Sequence, residues 1–243
     1  KKRLYFFFRE EIASEQLGQA GRRKGMPIYY VLSKQIPMKD SPLFEVETKV
    51  YQPSLSVGER VGFKLRVNAV VSREGKRHDI VMDEQRSWLR EQLNEMGVTT
   101  EGAKNVLKNR LLDRSGDAQL ALWVKLIESG RYADELIQSL GRTEILDWTI
   151  KTLIEKRIQK WWISKGERLG FEVPMDDSGE PLIDAVSYRK HALPEKALSA
   201  GFNSLDLSGE VVISNVEQFK KSLFDGIGPS KAFGCGLMMI RRL

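Results

Sequence analysis

The sequence predicts an α+β fold, and three observations lead to this prediction. Segments typical of strands lie near both ends of the 243-residue chain. The residues between them, from 84 to about 170, carry apolar side chains at helical spacing. The C-terminal part has the order β–α–β–β–α–β, which is the order of a ferredoxin-like unit.

Four segments before residue 70 are predicted as strands. The first two are the short apolar runs 4–8 and 28–32, and the third is FEVETKVY over 44–51, in which apolar and polar residues alternate. In the fourth, Phe63, Leu65, Val67 and Ala69 alternate with Lys64, Arg66 and Asn68. This last alternation predicts a sheet with one apolar face on helices and one basic, polar face open to an anion.

The C-terminal ferredoxin-like unit is predicted to start with a strand over 80–82 and to end with one over 237–240. Its last helix begins at Ser214 or Asn215, both good N-caps, and ends at Gly226. Helices are also predicted from the spacing of Trp88, Leu89 and Leu93, within residues 99–142, and in a longer segment that ends at Gly170.

Composition narrows the classes of function. The chain has 39 basic and 33 acidic side chains, so a net charge of +6 favours a polyanionic partner, most simply nucleic acid. One cysteine and two histidines far apart in the sequence exclude a disulfide and give no cluster for a structural metal. Neither a membrane helix nor a signal peptide is recognised. We therefore predict a cytoplasmic protein without cofactor or metal.

Five segments in order resemble one family. They are VGERVGFKLRVNA (57–69), GKRHDIVMD (75–83), GERLGFEV (166–173), LDLSGEVVISNVEQFKKSLFDG (205–226) and GIGPSKAFGCGLMMIRR (226–242). The sequence is similar to the CRISPR repeat-processing endoribonucleases, and the nearest branch is CasE of the type I-E Cascade complex. Ala69 stands where that branch usually has proline, and residues of about 92–146 resemble an insertion.

The resemblance implies tandem ferredoxin-like (RRM-like) domains, here 1–77 and 78–243. The helical insertion of about 92–146 falls in the second domain and is either a surface elaboration, which we favour, or a contact to a neighbouring subunit. The N-terminal domain shows neither its first strand nor its first helix, so these are expected upstream of Lys1. The family's catalytic histidine and tyrosine would lie there too, and the catalytic residues of this chain are therefore unknown.

The resemblance also implies a function. Family members bind the repeat stem-loop of precursor CRISPR RNA and cut at the hairpin base, without metal, by attack of a 2′-hydroxyl. They then stay on the crRNA 3′ hairpin within Cascade, next to the crRNA backbone subunit, and meet target DNA only through the complex. The alternative is a subunit that holds the hairpin without cutting it.

Candidate RNA-binding residues follow from these segments. The basic hairpin SYRKHALPEK carries Arg189, Lys190 and Lys196, which suit phosphate contacts along an A-form stem. In the glycine-rich loop, Gly228, Gly234, Gly236 and Lys231 would offer backbone N–H groups and a charge to a phosphate. The alternative for the loop is a tight connection from helix to strand.

Three further basic residues, Arg66, Lys76 and Arg77, are candidates for phosphate contacts or solvated surface residues. The last two are expected in a turn. His78 and His191 could supply acid–base chemistry, but each is also explained as a surface histidine among basic residues. Cys235 is predicted to be a small buried residue.

Overall fold

A computed structural model describes residues 6–11, 27–38, 40–131, 137, 139–193 and 201–243. Contacts divide the chain into two compact units, one of Lys1–Ala69 with Ile163–Leu243 and one of Val70–Trp162. These bounds differ from the ranges 1–77 and 78–243, which stay a prediction about folding domains. The fold class is confirmed, because helices and antiparallel sheets are both extensive.

The regular elements begin with strands, continue with a run of helices and return mainly to strands. They are β1 (Phe6–Glu11), β2 (Ile28–Ser33), β3 (Arg60–Val67), β4 (Val70–Arg73), β5 (Lys76–Asp79), α1 (Ile80–Glu95), α2 (Lys104–Arg114), α3 (Asp117–Glu128), α4 (Arg142–Leu169), β6 (Phe171–Glu172), β7 (Ile183–Ala192), β8 (Gly201–Ile213), α5 (Val216–Asp225) and β9 (Met238–Arg242).

In the first unit, β1 and β2 form an antiparallel pair in which Phe6 lies opposite Ser33. The strand predicted over 28–32 is thus confirmed, and the described part of the first strand, Phe6–Glu11, continues beyond the predicted end at residue 8. Leu4 and Tyr5 lie outside the described residues.

The strand predicted over 44–51 is wrong. This segment forms no ladder with another described strand, and the side chains of Phe44 and Val50 are 56% and 77% exposed. Alternation stabilises a strand only where a paired neighbour and a buried face are available. The segment is held instead by isolated aromatic contacts, such as that between Tyr51 and Phe224, whose ring centroids are 5.7 Å apart.

The main sheet of the first unit has the strand order β6-β8-β3-β9, with β7 also paired to β8, and every pairing is antiparallel. Without β7 and the elements between β3 and α4, the order along the chain is β3–α4–β6–β8–α5–β9, which is the ferredoxin-like order. The ferredoxin-like unit therefore begins at β3, before the predicted first strand.

The strand predicted over 80–82 is wrong, because these residues form the first turn of α1. The carboxylate of Asp79 accepts hydrogen bonds from the backbone N–H groups of Val81 and Met82, at 3.0 and 2.9 Å. This N-cap satisfies donors that a new helix leaves unpaired, so the apolar run Ile80–Met82 continues as a helix.

The helix α5 packs against the main sheet. Asn215 is its N-cap and accepts a hydrogen bond from the N–H of Gln218 at 3.0 Å, which decides between the two predicted caps. The ring of Phe219, fully buried, meets that of Phe171 edge to face at 6.2 Å. As predicted, the helix ends at Gly226.

The second unit consists of the β4–β5 hairpin and the helices α1, α2, α3 and the first part of α4. Its own core is formed by apolar side chains from all four helices, including Leu89, Leu111, Trp123 and Leu146. Residues 92–146 lie within this helical unit, and their being an insertion stays a prediction. Of the helices predicted within residues 99–142, the one over 133–141 falls mainly on residues outside the described ranges.

No helix in the described ranges is both long enough and apolar enough to cross a membrane.

Candidate nucleic-acid interface

One face of the main sheet gathers the polar side chains that the sequence singles out. In the register, Arg66 lies opposite Asp206, Arg189 opposite Ser204, and His191 opposite Phe202. Residues directly opposite one another in an antiparallel pair share a face, and so do alternate residues along β8. These six residues therefore lie on one face. The alternation in β3 predicts a polar face for Arg66, but this face is not open to an anion there, because Arg66 is buried.

Arg66 is held by a cross-strand ion pair. Its Nε and Nη2 donate to the two carboxylate oxygens of Asp206 at 2.8 and 2.9 Å, and its Nη1 donates to the carbonyl of Glu10 at 3.2 Å. Arg66 is 9% exposed and Asp206 7%. The solvated-surface alternative for Arg66 is therefore wrong, and its contact with RNA stays a prediction.

The strand β1 adds a second ion pair to this cluster. Arg9 Nε lies 3.3 Å from Glu11 Oε1, and Arg9 Nη1 lies 3.8 Å from Asp206 Oδ1. All four side chains are buried, and their charges balance. We call Arg9, Glu11, Arg66 and Asp206 the buried charge cluster; it fastens β1 to β3 and β8.

His191 is half-buried and packed on two sides. Its Nε2 is 2.7 Å from the hydroxyl oxygen of Ser204, and its ring stacks on Phe202 with centroids 4.6 Å apart and planes at 13°. Burial lowers the pKa of His191 below the usual 6.5, and the charges of Arg66 and Arg189 lower it further, against an opposing effect of Asp206. These effects together favour the neutral imidazole.

The basic hairpin presents its charges to solvent. Arg189 and Lys190 in β7 are exposed, and Arg189 Nε donates to the hydroxyl of Ser187 at 2.9 Å. Successive strand residues point to opposite faces, so Arg189 shares the face of His191 and Lys190 does not. Lys196, predicted with them, lies outside the described residues.

The glycine-rich loop uses its backbone groups within the protein. The N–H of Gly236 donates to the carbonyl of Arg66 at 2.7 Å, and the N–H of Ile227 donates to the carbonyl of Gly236 at 2.9 Å. Lys231 Nζ donates to the carbonyl of Asp225, at the C-terminal end of α5. This lysine thereby places its charge where the helix dipole is negative.

Two other loop glycines allow close packing. A Cβ at Gly228 would lie 3.0 Å from Val67 Cγ2, and one at Gly234 would lie 3.3 Å from the Phe8 ring. The loop therefore packs on both β3 and β1. This agrees with the alternative that the loop is a tight connection from helix to strand. A phosphate contact by Gly228, Gly234, Gly236 or Lys231 stays a prediction.

Lys76 and Arg77 lie in the second unit, in β5 and not in the turn that the sequence predicts. The turn consists of Glu74 and Gly75, both with positive φ, of 50° and 75°. Two such residues favour a tight hairpin, so the strand starts directly after Gly75. Both basic side chains are exposed.

Cys235 is fully buried, as predicted. Burial is the main reason that the pKa of its thiol is raised to about 11. A thiol with such a pKa is protonated at neutral pH and is a poor nucleophile.

A comparison with protein families decides the relationship. The family model described as CRISPR associated protein matches residues 3–122 and 134–242. The chain belongs to this family. No curated protein sequence matches it at a significant level.

Solved structures place this family member among known folds. It matches CRISPR endoribonuclease Cse3 bound to 19 nt RNA with a TM-score of 0.53 and 15% identity, over 98% of this chain and 80% of that one. It matches Thermus thermophilus Cse3 bound to an RNA representing a pre-cleavage complex with a TM-score of 0.53 and 14% identity, over 97% and 78%. The shared fold confirms the resemblance found in the sequence.

In this CRISPR-associated protein, several side chains of the candidate interface are not predicted from the sequence. Arg9, Glu11 and Asp206 are charged residues inside strands, and only their pairing reveals that they are buried. Phe202 and Phe233 complete a row of rings with His191. The sequence does carry one signal for Asp206. It lies between Leu205 and Leu207, so alternation of apolar and polar residues places it on the polar face of β8, and the register makes this the face of Arg66.

Proposed function

We propose that this chain binds the repeat stem-loop of precursor CRISPR RNA and cleaves it at the hairpin base. The observation that carries the proposal is the match of the family model to most of the chain, together with the fold shared with RNA-bound Cse3. The exposed Arg189 and Lys190 next to the polar sheet face support RNA binding, because phosphate contacts fix a protein on an A-form stem.

The proposed reaction is a transesterification without metal. A base removes the proton of a 2′-hydroxyl, the 2′-oxygen attacks the adjacent phosphorus, and the 5′-oxygen of the next nucleotide leaves with a proton from an acid. The products are a 2′,3′-cyclic phosphate and a 5′-hydroxyl. We do not assign the acid or the base to a residue of this chain.

After cleavage, we propose, the protein stays on the crRNA 3′ hairpin as a cytoplasmic subunit of Cascade. Its neighbour would be the crRNA backbone subunit, and target DNA would be met only through the complex. A non-cleaving hairpin-binding subunit is the second candidate. It is favoured by the exposed Arg189 and Lys190, which support binding of the RNA without requiring its cleavage.

Incubation of the full protein with its repeat RNA in EDTA tests both candidates. Cleavage to a cyclic-phosphate end is expected under the first candidate, and tight hairpin binding without cleavage would support the second. Cleavage that requires added magnesium would contradict the metal-independent reaction. Equal binding of the hairpin and an unrelated RNA would exclude both.

Replacement of Arg189 and Lys190 together by alanine is expected to weaken hairpin binding and flatten its salt dependence. The plot of log K against log salt has a negative slope. For every phosphate that the variant no longer neutralises, the magnitude of this slope should decrease by about 0.9, by analogy with duplex DNA. Titrations at several salt concentrations would measure this slope.

The control for that variant is the Lys220→Ala, Lys221→Ala protein. It loses the same formal charge from α5, away from the basic hairpin in sequence. Its slope should stay close to that of the wild type. Equal slopes in both double variants and the wild type would contradict phosphate contacts by Arg189 and Lys190.

A further inference from the structure

Three rings form a row at one end of the polar sheet face. His191 stacks on Phe202 at 4.6 Å, and Phe202 meets Phe233 at 5.3 Å with planes at 34°. Phe202 is half-buried in the middle of the row, and Phe233 at its end is 42% exposed. The row therefore presents an aromatic surface to solvent.

The backbone holds Phe233 in this exposed place. The residue ends a single turn, Lys231–Phe233, between Ser230 and Gly234, whose φ angles are 61° and 78°. Its N–H donates to the carbonyl of Ser230 at 2.9 Å. Gly234 packs against the ring of Phe8, so the turn rests on β1. The ring of Phe233 is therefore held by a short turn that packs on a strand.

An exposed cation lies beside the row. Arg189 precedes His191 by two positions on the same face of β7, and its side chain is exposed. An exposed single phenylalanine is ordinary, but rings beside an exposed arginine form a combination that binds single-stranded nucleic acid. A ring binds the face of a base, and the arginine binds a neighbouring phosphate. Apolar protein partners would gain nothing from this charge.

We propose that Phe233, backed by Phe202 and His191, is a stacking platform for one unpaired nucleobase next to the RNA stem. The inference rests on the proposed RNA binding and adds a site for a single-stranded residue. Bases paired within an A-form stem are stacked on one another, so only an unpaired base can place its face on the ring.

Fluorescence of 2-aminopurine, placed singly at each unpaired position flanking the hairpin, tests this site. With the wild type, quenching is expected at one position, and Phe233→Ala should remove it and weaken binding of this RNA about tenfold. Phe233→Leu should resemble Phe233→Ala, because it keeps apolar bulk without a ring, whereas Phe233→Tyr should bind like the wild type.

Two controls separate stacking from other effects. Phe224→Ala removes a ring of similar exposure, 44%, on α5 and should leave binding unchanged. A stem without unpaired flanks should bind the wild type and Phe233→Ala equally. Equal loss on the trimmed stem and the flanked hairpin, or no loss on either, would overturn the platform.

The same titrations distinguish failure of the platform from failure of the proposed function. If the wild type prefers the hairpin to an unrelated RNA but Phe233→Ala binds it equally well, only the platform is wrong. If the wild type shows no preference for the hairpin, the proposed function and the platform are both wrong.

Discussion

Replacement of Asp206 by alanine is expected to lower the free energy of unfolding by about 3–5 kcal/mol, the range for removal of one partner from a buried ion pair. Asp206 accepts two hydrogen bonds from Arg66 and lies 3.8 Å from a nitrogen of Arg9. Its removal leaves two buried guanidinium groups in the cluster and one carboxylate, that of Glu11, which lies 3.3 Å from Arg9 Nε. Urea unfolding of the wild type and the variant at pH 7 would measure the difference.

The matched control is Glu210→Ala, on the same strand. Glu210 pairs with Arg60 across β3 and β8, but the two side chains are 29% and 50% exposed. Exposed pairs contribute little, so this variant should lose at most about 1 kcal/mol. Similar losses for the two variants would contradict the importance that we assign to burial of the cluster.

Replacement of Gly170 by alanine is expected to cost about 2–5 kcal/mol of stability. Gly170 ends α4 with φ of 82°, and an added Cβ would lie 2.5 Å from the carbonyl oxygen of Asn215 and 2.6 Å from the backbone nitrogen of Phe219. Positive φ alone costs an alanine about 1–2 kcal/mol, and overpacking adds about 1–3 kcal/mol. Both contacts are backbone atoms of α5 and its N-cap, so they cannot rotate away.

Gly179→Ala separates these two contributions. Gly179 has the same φ of 82°, but an added Cβ would meet no atom within 4 Å. This variant should therefore lose only the backbone contribution of about 1–2 kcal/mol. Thermal or urea unfolding of both variants gives the comparison, and equal losses would show that the contact with α5 is unimportant.

Local signals in the sequence suffice for much of the fold. The alternation in β3, an N-cap at Ser214 or Asn215 and the glycine that ends α5 are each set by neighbours in the chain. The structure agrees with all three and has Asn215 as the cap. The errors arise where the chain offers two solutions. The apolar run 80–82 is compatible with a strand, and the hydrogen bonds to Asp79 decide for a helix.

The candidate interface is less predictable because distant residues complete it. Arg66 has the sequence pattern of an exposed strand residue, and its partner Asp206 lies 140 positions later. Alternation assigns each residue to a face but does not say what covers that face. The row of rings likewise depends on register between β7 and β8 and on the turn before Gly234.

The position of β3 in the sheet has a consequence for the order of folding. Arg66 in β3 and its partner Asp206 in β8 are 140 residues apart in sequence, so β8 is synthesised well after β3. At typical rates of translation, β3 waits about 7–28 seconds for this partner. The helical unit of Val70–Trp162 is complete within that interval and depends on contacts nearer in sequence. Closure of the sheet is therefore the late step, during which the unpaired edges of β3 are exposed to aggregation.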